Sequence, residues 1–134
     1  MGYKSKKNGD DFEKRMCEYL SKNGYYVIYN EKGVTGSQCC DLNVIKNNKA
    51  TLIECKNLDN KSGKFPLSRI ESNQFHAYKK YRECGNTRFV LAIQWNNAVY
   101  IYDFGLIVLM KDKIKSIDLK EVQPNWRWSD ESLS

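Results

Sequence analysis

The stretch from 39 to 56 carries two short apolar runs, 39–45 and 50–55, around the tetrapeptide Lys46-Asn47-Asn48-Lys49. Asparagine tolerates positive φ, so Asn47-Asn48 suits a two-residue hairpin turn. Partners across that hairpin have numbers summing to 95, which sets Asp41 opposite Glu54 with Cβ atoms ~5 Å apart. Two carboxylates that close repel each other, and their neighbours Leu42, Val44, Leu52 and Ile53 are too apolar to form a solvated rim. The pair is costly unless something cationic sits between them. Strand alternation puts Lys56 on the Glu54 face and turns Cys55 to the opposite face, toward Cys40 in the core.

A divalent cation bridging Asp41 and Glu54, with water and a substrate phosphate completing an oxygen shell, removes the repulsion and creates a Lewis acid. Lys56 can then orient or deprotonate an attacking water, or balance charge on a pentacovalent phosphorus. That is equipment for phosphodiester hydrolysis. Two alternatives stay open on these residues alone: a salt bridge from Lys56 to the acids, or a register one residue off that splits their faces. An acid separated by twelve residues from a Glu-x-Lys recurs in charged proteins. Three features favour the metal site: both strands are apolar around the acids, Glu13 lies beside the buried stripe of one helix, and Gln74 faces inward from another.

The elements that must position these groups follow from pattern. Phe12, Met16, Tyr19 and Leu20 fall at helical spacing over 9–23, with acids in the first turn and Gly24 at the C′ position. Residues 25–29 read as an aromatic and β-branched strand, and 30–38 as a Gly-containing loop. The segment 58–64 is a polar loop with two lysines. Ser68-Arg69-Ile70-Glu71 matches the Ser-x-x-Glu capping box and opens a second helix with the stripe Ile70, Ala77, Tyr78, Tyr81, closed by Gly85. Residues 87–95, 98–103 and 106–110 read as further strands, the first two again joined by Asn-Asn. The end, 124–134, is polar except for Trp126 and Trp128. A helix between the 50–55 and 87–95 strands lets them run parallel. The expected fold class is α/β: one three-layer α/β/α domain with a central mixed sheet, its core over about 8–118 and a tail over 119–134.

Charge points to a polyanionic partner. The chain carries 22 Lys+Arg against 16 Asp+Glu, a net +6 with pI about 9.0. Residues 32–88 alone hold 11 basic and 5 acidic side chains. Clustered lysine and arginine gain affinity for a phosphate backbone by releasing its counterions. At 134 residues with 41% hydrophobic content the chain fits one globular domain and excludes collagenous, coiled-coil and wholly disordered classes. No run approaches a membrane span. The basic N-terminus has no apolar h-region behind it, so a cytoplasmic setting, in a bacterial, archaeal or phage-infected cell, is expected. Five cysteines without framework spacing agree with a reducing compartment, and one histidine without a CxxC argues against structural zinc.

With these residues in view, the order Gly9-Asp10-Asp11-Phe12-Glu13, Asp41, Leu52-Ile53-Glu54-Cys55-Lys56 and Gln74-Phe75-His76-Ala77-Tyr78 resembles the PD-(D/E)XK nuclease superfamily. The pattern is most similar to Holliday junction resolvases of the archaeal Hjc and bacterial RecU type, including small phage-encoded relatives, over roughly residues 8–103. The resemblance implies a restriction-endonuclease-like fold, with Asp41 and Glu54 as Mg²⁺ ligands (Mn²⁺ as an alternative), the Cys55 carbonyl as a further ligand and Lys56 as the catalytic lysine. It implies Glu13 as the first-helix acid that positions a metal or its water, and Gln74 as a contact to the lysine, a water or DNA. Ser37 resembles a loop serine of the archaeal enzymes.

The chain also departs from the family pattern. Cys40 stands where the superfamily's name has proline. The arginine that resolvases often carry near the loop serine is missing, with Lys32 the nearest basic residue. The 30–38 loop is shorter than the stalk RecU-type enzymes insert into the junction centre. Lys32, Ser37, Lys61, Lys64, Arg69, Lys79, Lys80 and Arg82 are the expected DNA-backbone contacts. Tyr25, Tyr26, Tyr29, Tyr78 and Tyr81 are expected to pack the core or a dimer face, and His76 to lie on the helix surface.

The leading expectation is a Mg²⁺-dependent endonuclease that cuts branched DNA as a homodimer, because a symmetric junction calls for two symmetric sites. The alternatives are another nuclease of the superfamily, restriction-like, nicking or strand-trimming, and a catalytically silent DNA-binding module.

Overall fold

A computed structural model describes the backbone of residues 3–30 and 41–129 and the side chains of 11–30 and 41–125. Lys32, Ser37, Cys39, Cys40 and the 30–38 loop beyond Asn30 therefore lie outside the described residues, as do the side chains of Trp126, Arg127 and Trp128.

The first helix, α1 (Tyr3–Lys22), buries Phe12, Met16 and Leu20 along one stripe. It begins well before the expected residue 9, so Asp10, Asp11 and Glu13 lie within the helix and not in its first turn. A single interior glycine such as Gly9 costs only about 1 kcal/mol, too little to stop a helix anchored by that stripe. The C-terminal end is as expected: Gly24 has φ +86, Gly24 N donates to Ser21 O, and Tyr25 N donates to Leu20 O, the paired bonds of a Schellman cap.

Six strands form the central sheet: β1 (Tyr26–Tyr29), β2 (Leu42–Lys46), β3 (Lys49–Asn57), β5 (Phe89–Trp95), β6 (Ala98–Asp103) and β8 (Trp126–Ser129). Their order is β1-β2-β3-β5-β6-β8, antiparallel throughout except for the parallel β3–β5 pair. Both Asn-Asn turns take positive φ at each position, 54 and 64 at Asn47 and Asn48, 52 and 61 at Asn96 and Asn97. This is the type I′ geometry whose twist matches the strands it joins.

Alternation divides the interior into two cores. Leu42, Val44, Ile53, Cys55, Ala92, Val99 and Ile101 pack under α1. On the other face Leu52, Phe89, Leu91, Ile93, Tyr100 and Tyr102 pack under a second helix, α2 (Ser72–Glu83), and a third, α3 (Phe104–Met110). The result is three layers, α/β/α, as the sequence implied.

The second core differs from the sequence reading in four places. Residues 106–110 are not a strand but most of α3. A short apolar run fits either period, and here Asp103 caps the helix by accepting from Gly105 N at 3.0 Å while Phe104 and Ile107 bury against the sheet. The capping box belongs to Glu71 and Gln74, not to Ser68 and Glu71. Ser68 lies in a separate 3-10 turn, Leu67–Arg69, and Ile70 is extended because its side chain enters the core. The polar 58–64 loop ends in a short strand, β4 (Lys64–Pro66), which pairs with β7 (Ser116–Asp118) and sets Phe65 against Ile117 in the core. The tail, read as polar except for Trp126 and Trp128 and given no strand, supplies β8, hydrogen-bonded to β6. No helix among the described residues is long and apolar enough to cross a membrane.

Candidate active site

β3 carries the site. It is a central strand, paired with β2 and β5 at its two edges, with α1 packed over one face and the α2 and α3 layer over the other. Leu52, Glu54 and Lys56 face the α2 side; Ile53 and Cys55 face α1. The register sum of 95 holds from Leu42↔Ile53 through Lys46↔Lys49.

Asp41 is the next residue out and leaves the ladder at the point where Glu54 would be its partner. Its backbone N donates to Ile53 O at 3.1 Å, its carbonyl accepts from Asn30 N at 2.9 Å, and its Oδ2 accepts from Cys55 N at 2.8 Å. Asp41 therefore ties together the end of β1, the start of β2 and the middle of β3. The tie uses the side chain itself, which fixes where its carboxylate points.

Asp41 is 3% exposed, Glu54 4% and Glu13 2%. Charges this deep need compensation. Lys56 supplies part of it, with Nζ 3.3 Å from Glu54 Oε2, and stays 16% exposed at the mouth. Tyr29 donates its hydroxyl to Glu13 Oε2 at 2.8 Å. The Cys55 thiol is pushed well above its ordinary value, by burial first and then by the charges of Asp41, Glu13 and Glu54. All three carboxylates thus cluster around one residue of β3.

A test of this electrostatic setting follows. On the native protein, peptide-resolved alkylation at pH 8 should label exposed Cys84 and leave Cys55 unmodified until the chain unfolds. Because the folded thiol values of Cys55 and Cys17 lie above the ordinary 9.0, their neutral forms stabilise the fold below that pH, and stability should fall as pH rises past it.

Among the described residues no group of three His, Cys, Asp or Glu side chains forms a ready-made metal cage. Two carboxylates with oxygen donors only fit a hard cation that keeps several waters and takes further ligands from a phosphate. Among the described residues the nearby sulfur is that of Cys55, which is buried and turned toward α1.

The other expected residues divide in two. Gln74 is buried, but its Oε1 accepts from Glu71 N at 3.0 Å, so its hydrogen bond fixes the start of α2 and is not made to Lys56. Arg69 donates to the Asn57 carbonyl at 3.0 Å and lies over the Phe65 ring, so with exposed Lys61 and Lys64 it flanks the end of β3 that bears Lys56. Lys79 and Lys80 are exposed on the C-terminal half of α2, whose Tyr81 hydroxyl donates to Ala50 O at the opposite end of β3. His76 is exposed on α2, as expected. Tyr78 packs the core, whereas Tyr26 is 68% exposed on the edge strand.

Sequence reasoning missed two participants. Tyr29 reaches Glu13 because β1 pairs with β2 in the register Tyr29↔Leu42, one step from Asp41. Asn43 shares the Leu52 and Glu54 face of the sheet, a polar residue between apolar neighbours, which alternation alone would have flagged.

A scan against protein-family models and a search of curated proteins both give no match. Among solved structures the chain is similar to Archaeoglobus fulgidus Hjc, a Holliday junction resolvase from an archaeal hyperthermophile, with a TM-score of 0.58 and 16% sequence identity over 82% of this chain and 86% of that one. The chain has an Hjc-like, restriction-endonuclease-like α/β fold.

Proposed function

We propose that this protein is a divalent-cation-dependent endonuclease that hydrolyses DNA phosphodiester bonds, with four-way junctions as its substrate and a homodimer as its working form. The observation that carries the reading is the buried Asp41 and Glu54 pair with Lys56 at its mouth, set where β2 and β3 meet. The likeness of fold to a protein that is itself a Holliday junction resolvase supports the choice of substrate.

Asp41 and Glu54 would hold the cation, Mg²⁺ in the first place. When bound, such an ion supplies Lewis acidity to a phosphoryl oxygen and offsets the charge that builds on phosphorus. Lys56, partly exposed, orients a water for in-line attack and balances charge beside Glu54. Glu13, steered by Tyr29, holds an acceptor oxygen near the same water. Lys61, Lys64 and Arg69 hold the DNA backbone by charge without reading its sequence. A second copy related by a two-fold axis presents the same site to the symmetry-related strand of a junction.

Cleavage of a synthetic four-way junction and of a linear duplex of matching sequence tests this, with Mg²⁺ and with EDTA. The expected result is junction cutting that EDTA abolishes, with the duplex left intact. Equal cutting of both substrates removes the junction preference and leaves a nuclease; no cutting of either by folded protein overturns the nuclease reading.

A further inference from the structure

We infer that Asn43 is a positioning residue for the cation site, its Oδ1 accepting a hydrogen bond from the water shell of an ion held by Asp41 and Glu54. This rests on the nuclease reading above. Among the described residues, Asn43 Oδ1 is the side-chain oxygen that is shut off from solvent without a donor. A buried acceptor left unmatched lowers stability, and an apolar side chain of similar size would remove the penalty. Its flanking partners across the sheet are Ile28 on β1 and Leu52 on β3, so an apolar residue would suit the position.

Place and chemistry together indicate what the oxygen is for. Asn43 pairs with Leu52 and so lies on the sheet face that Glu54 shares, while Asp41 immediately precedes β2. It is directly opposite Leu52 and diagonal to Glu54, a spacing of ~7–8 Å that side chains can span. Ionised Asp41 and Glu54 only accept hydrogen bonds, and so provide Asn43 with no donor. The Lys56 ammonium lies further along β3 against Glu54. Water bound through its oxygen to a cation turns its hydrogens outward and becomes a donor. A hard ion held by two carboxylates keeps several such waters. Partners one layer out from a metal orient it and commonly alter affinity by about 10–100-fold.

The test uses Mn²⁺ as the probe on the full chain, with affinity read by calorimetry or by the electron-spin signal of the free ion, and melting measured separately in EDTA. Asn43→Leu, which deletes the acceptor, should bind Mn²⁺ about 10-fold more weakly. It should also melt about 3 °C higher without metal, because the unmatched oxygen is gone. Asn43→Asp, which retains an acceptor oxygen, should bind at least as tightly as the parent protein. Parent-like Mn²⁺ affinity in Asn43→Leu overturns the assignment, as does a lower melting point in EDTA, which would mean that Oδ1 serves a partner within the fold. Failure of the parent protein itself to bind Mn²⁺ overturns the nuclease reading and this inference together, so the two failures are distinct.

Discussion

Asp41→Asn should cut four-way junctions at least ~10³-fold more slowly than the parent protein, the scale set by several kcal/mol of lost charge stabilisation at about 1.4 kcal/mol per tenfold in rate. The substitution keeps an oxygen able to accept from Cys55 N, so the bond that ties the start of β2 to β3 survives. It also removes one of three carboxylates buried around Cys55. The variant should therefore fold and melt no lower than the parent in EDTA, while its Mn²⁺ binding collapses. Lys56→Ala makes the informative contrast. It should lose about 10²–10⁴-fold in cutting, as removal of a proton-transfer or water-orienting group does, yet keep Mn²⁺ binding, since the lysine contributes no metal ligand. Single-turnover junction cleavage with parallel Mn²⁺ titration separates the two cases. An Asp41→Asn protein that is folded and cuts at the parent rate would remove Asp41 from the site.

Phe89→Ala should be the most damaging core truncation on the α2 side. Phe89 is fully buried, with its ring 4.5 Å from that of Phe104, 5.9 Å from Tyr78 and 6.3 Å from Tyr81. It is thus the common contact of β5, α2 and α3. Deleting such a ring costs about 3–5 kcal/mol through lost transfer energy and the cavity left behind, against a total stability of about 5–15 kcal/mol for a domain. Urea unfolding should show a midpoint far below the parent's at an unchanged slope. Leu109→Ala is the control: Leu109 is 69% exposed on α3, and its loss should stay within about 0.5 kcal/mol. Comparable midpoints for the two variants would mean that α3 does not dock through this aromatic cluster.

Much of the site was legible because the features that set it are local. The Asn47-Asn48 turn depends on the φ preference of two residues, and from that turn the pairing of Leu42 with Ile53 follows by counting. Alternation then places Glu54 and Lys56 on one face and Cys55 on the other. Gly24 and Gly85 end α1 and α2 for an equally local reason, a positive φ that glycine adopts at no steric cost.

The misreadings arise where competing local signals are settled from a distance. The apolar run 106–110 suits a strand or a helix, and it became a helix because Asp103 caps it and because Phe104 and Ile107 meet the aromatic rings of β5 and α2. Ser68 and Glu71 have the spacing of a capping box, yet Ile70 must extend to reach the core, so the helix starts later and Gln74 becomes its cap partner. That shift also changes what Gln74 does near the site.

By itself, the sequence determined the hairpin and the faces of its strands, and so set Glu54 and Lys56 on one face and Cys55 on the other, because these depend on turn dihedrals and a two-residue period. Only the tertiary structure decided that Asp41 leaves the ladder and bonds to Cys55 N, that Tyr29 reaches Glu13, that the carboxylates are buried, that Asn43 is left with an unmatched oxygen, and that Arg69 bonds at the Lys56 end of β3 while Tyr81, on the half of α2 that bears Lys79 and Lys80, bonds at the other end. Those outcomes depend on how α1, α2 and β1 dock against the sheet. Docking is set by the fit of whole faces far apart in the chain, which no spacing within one segment records.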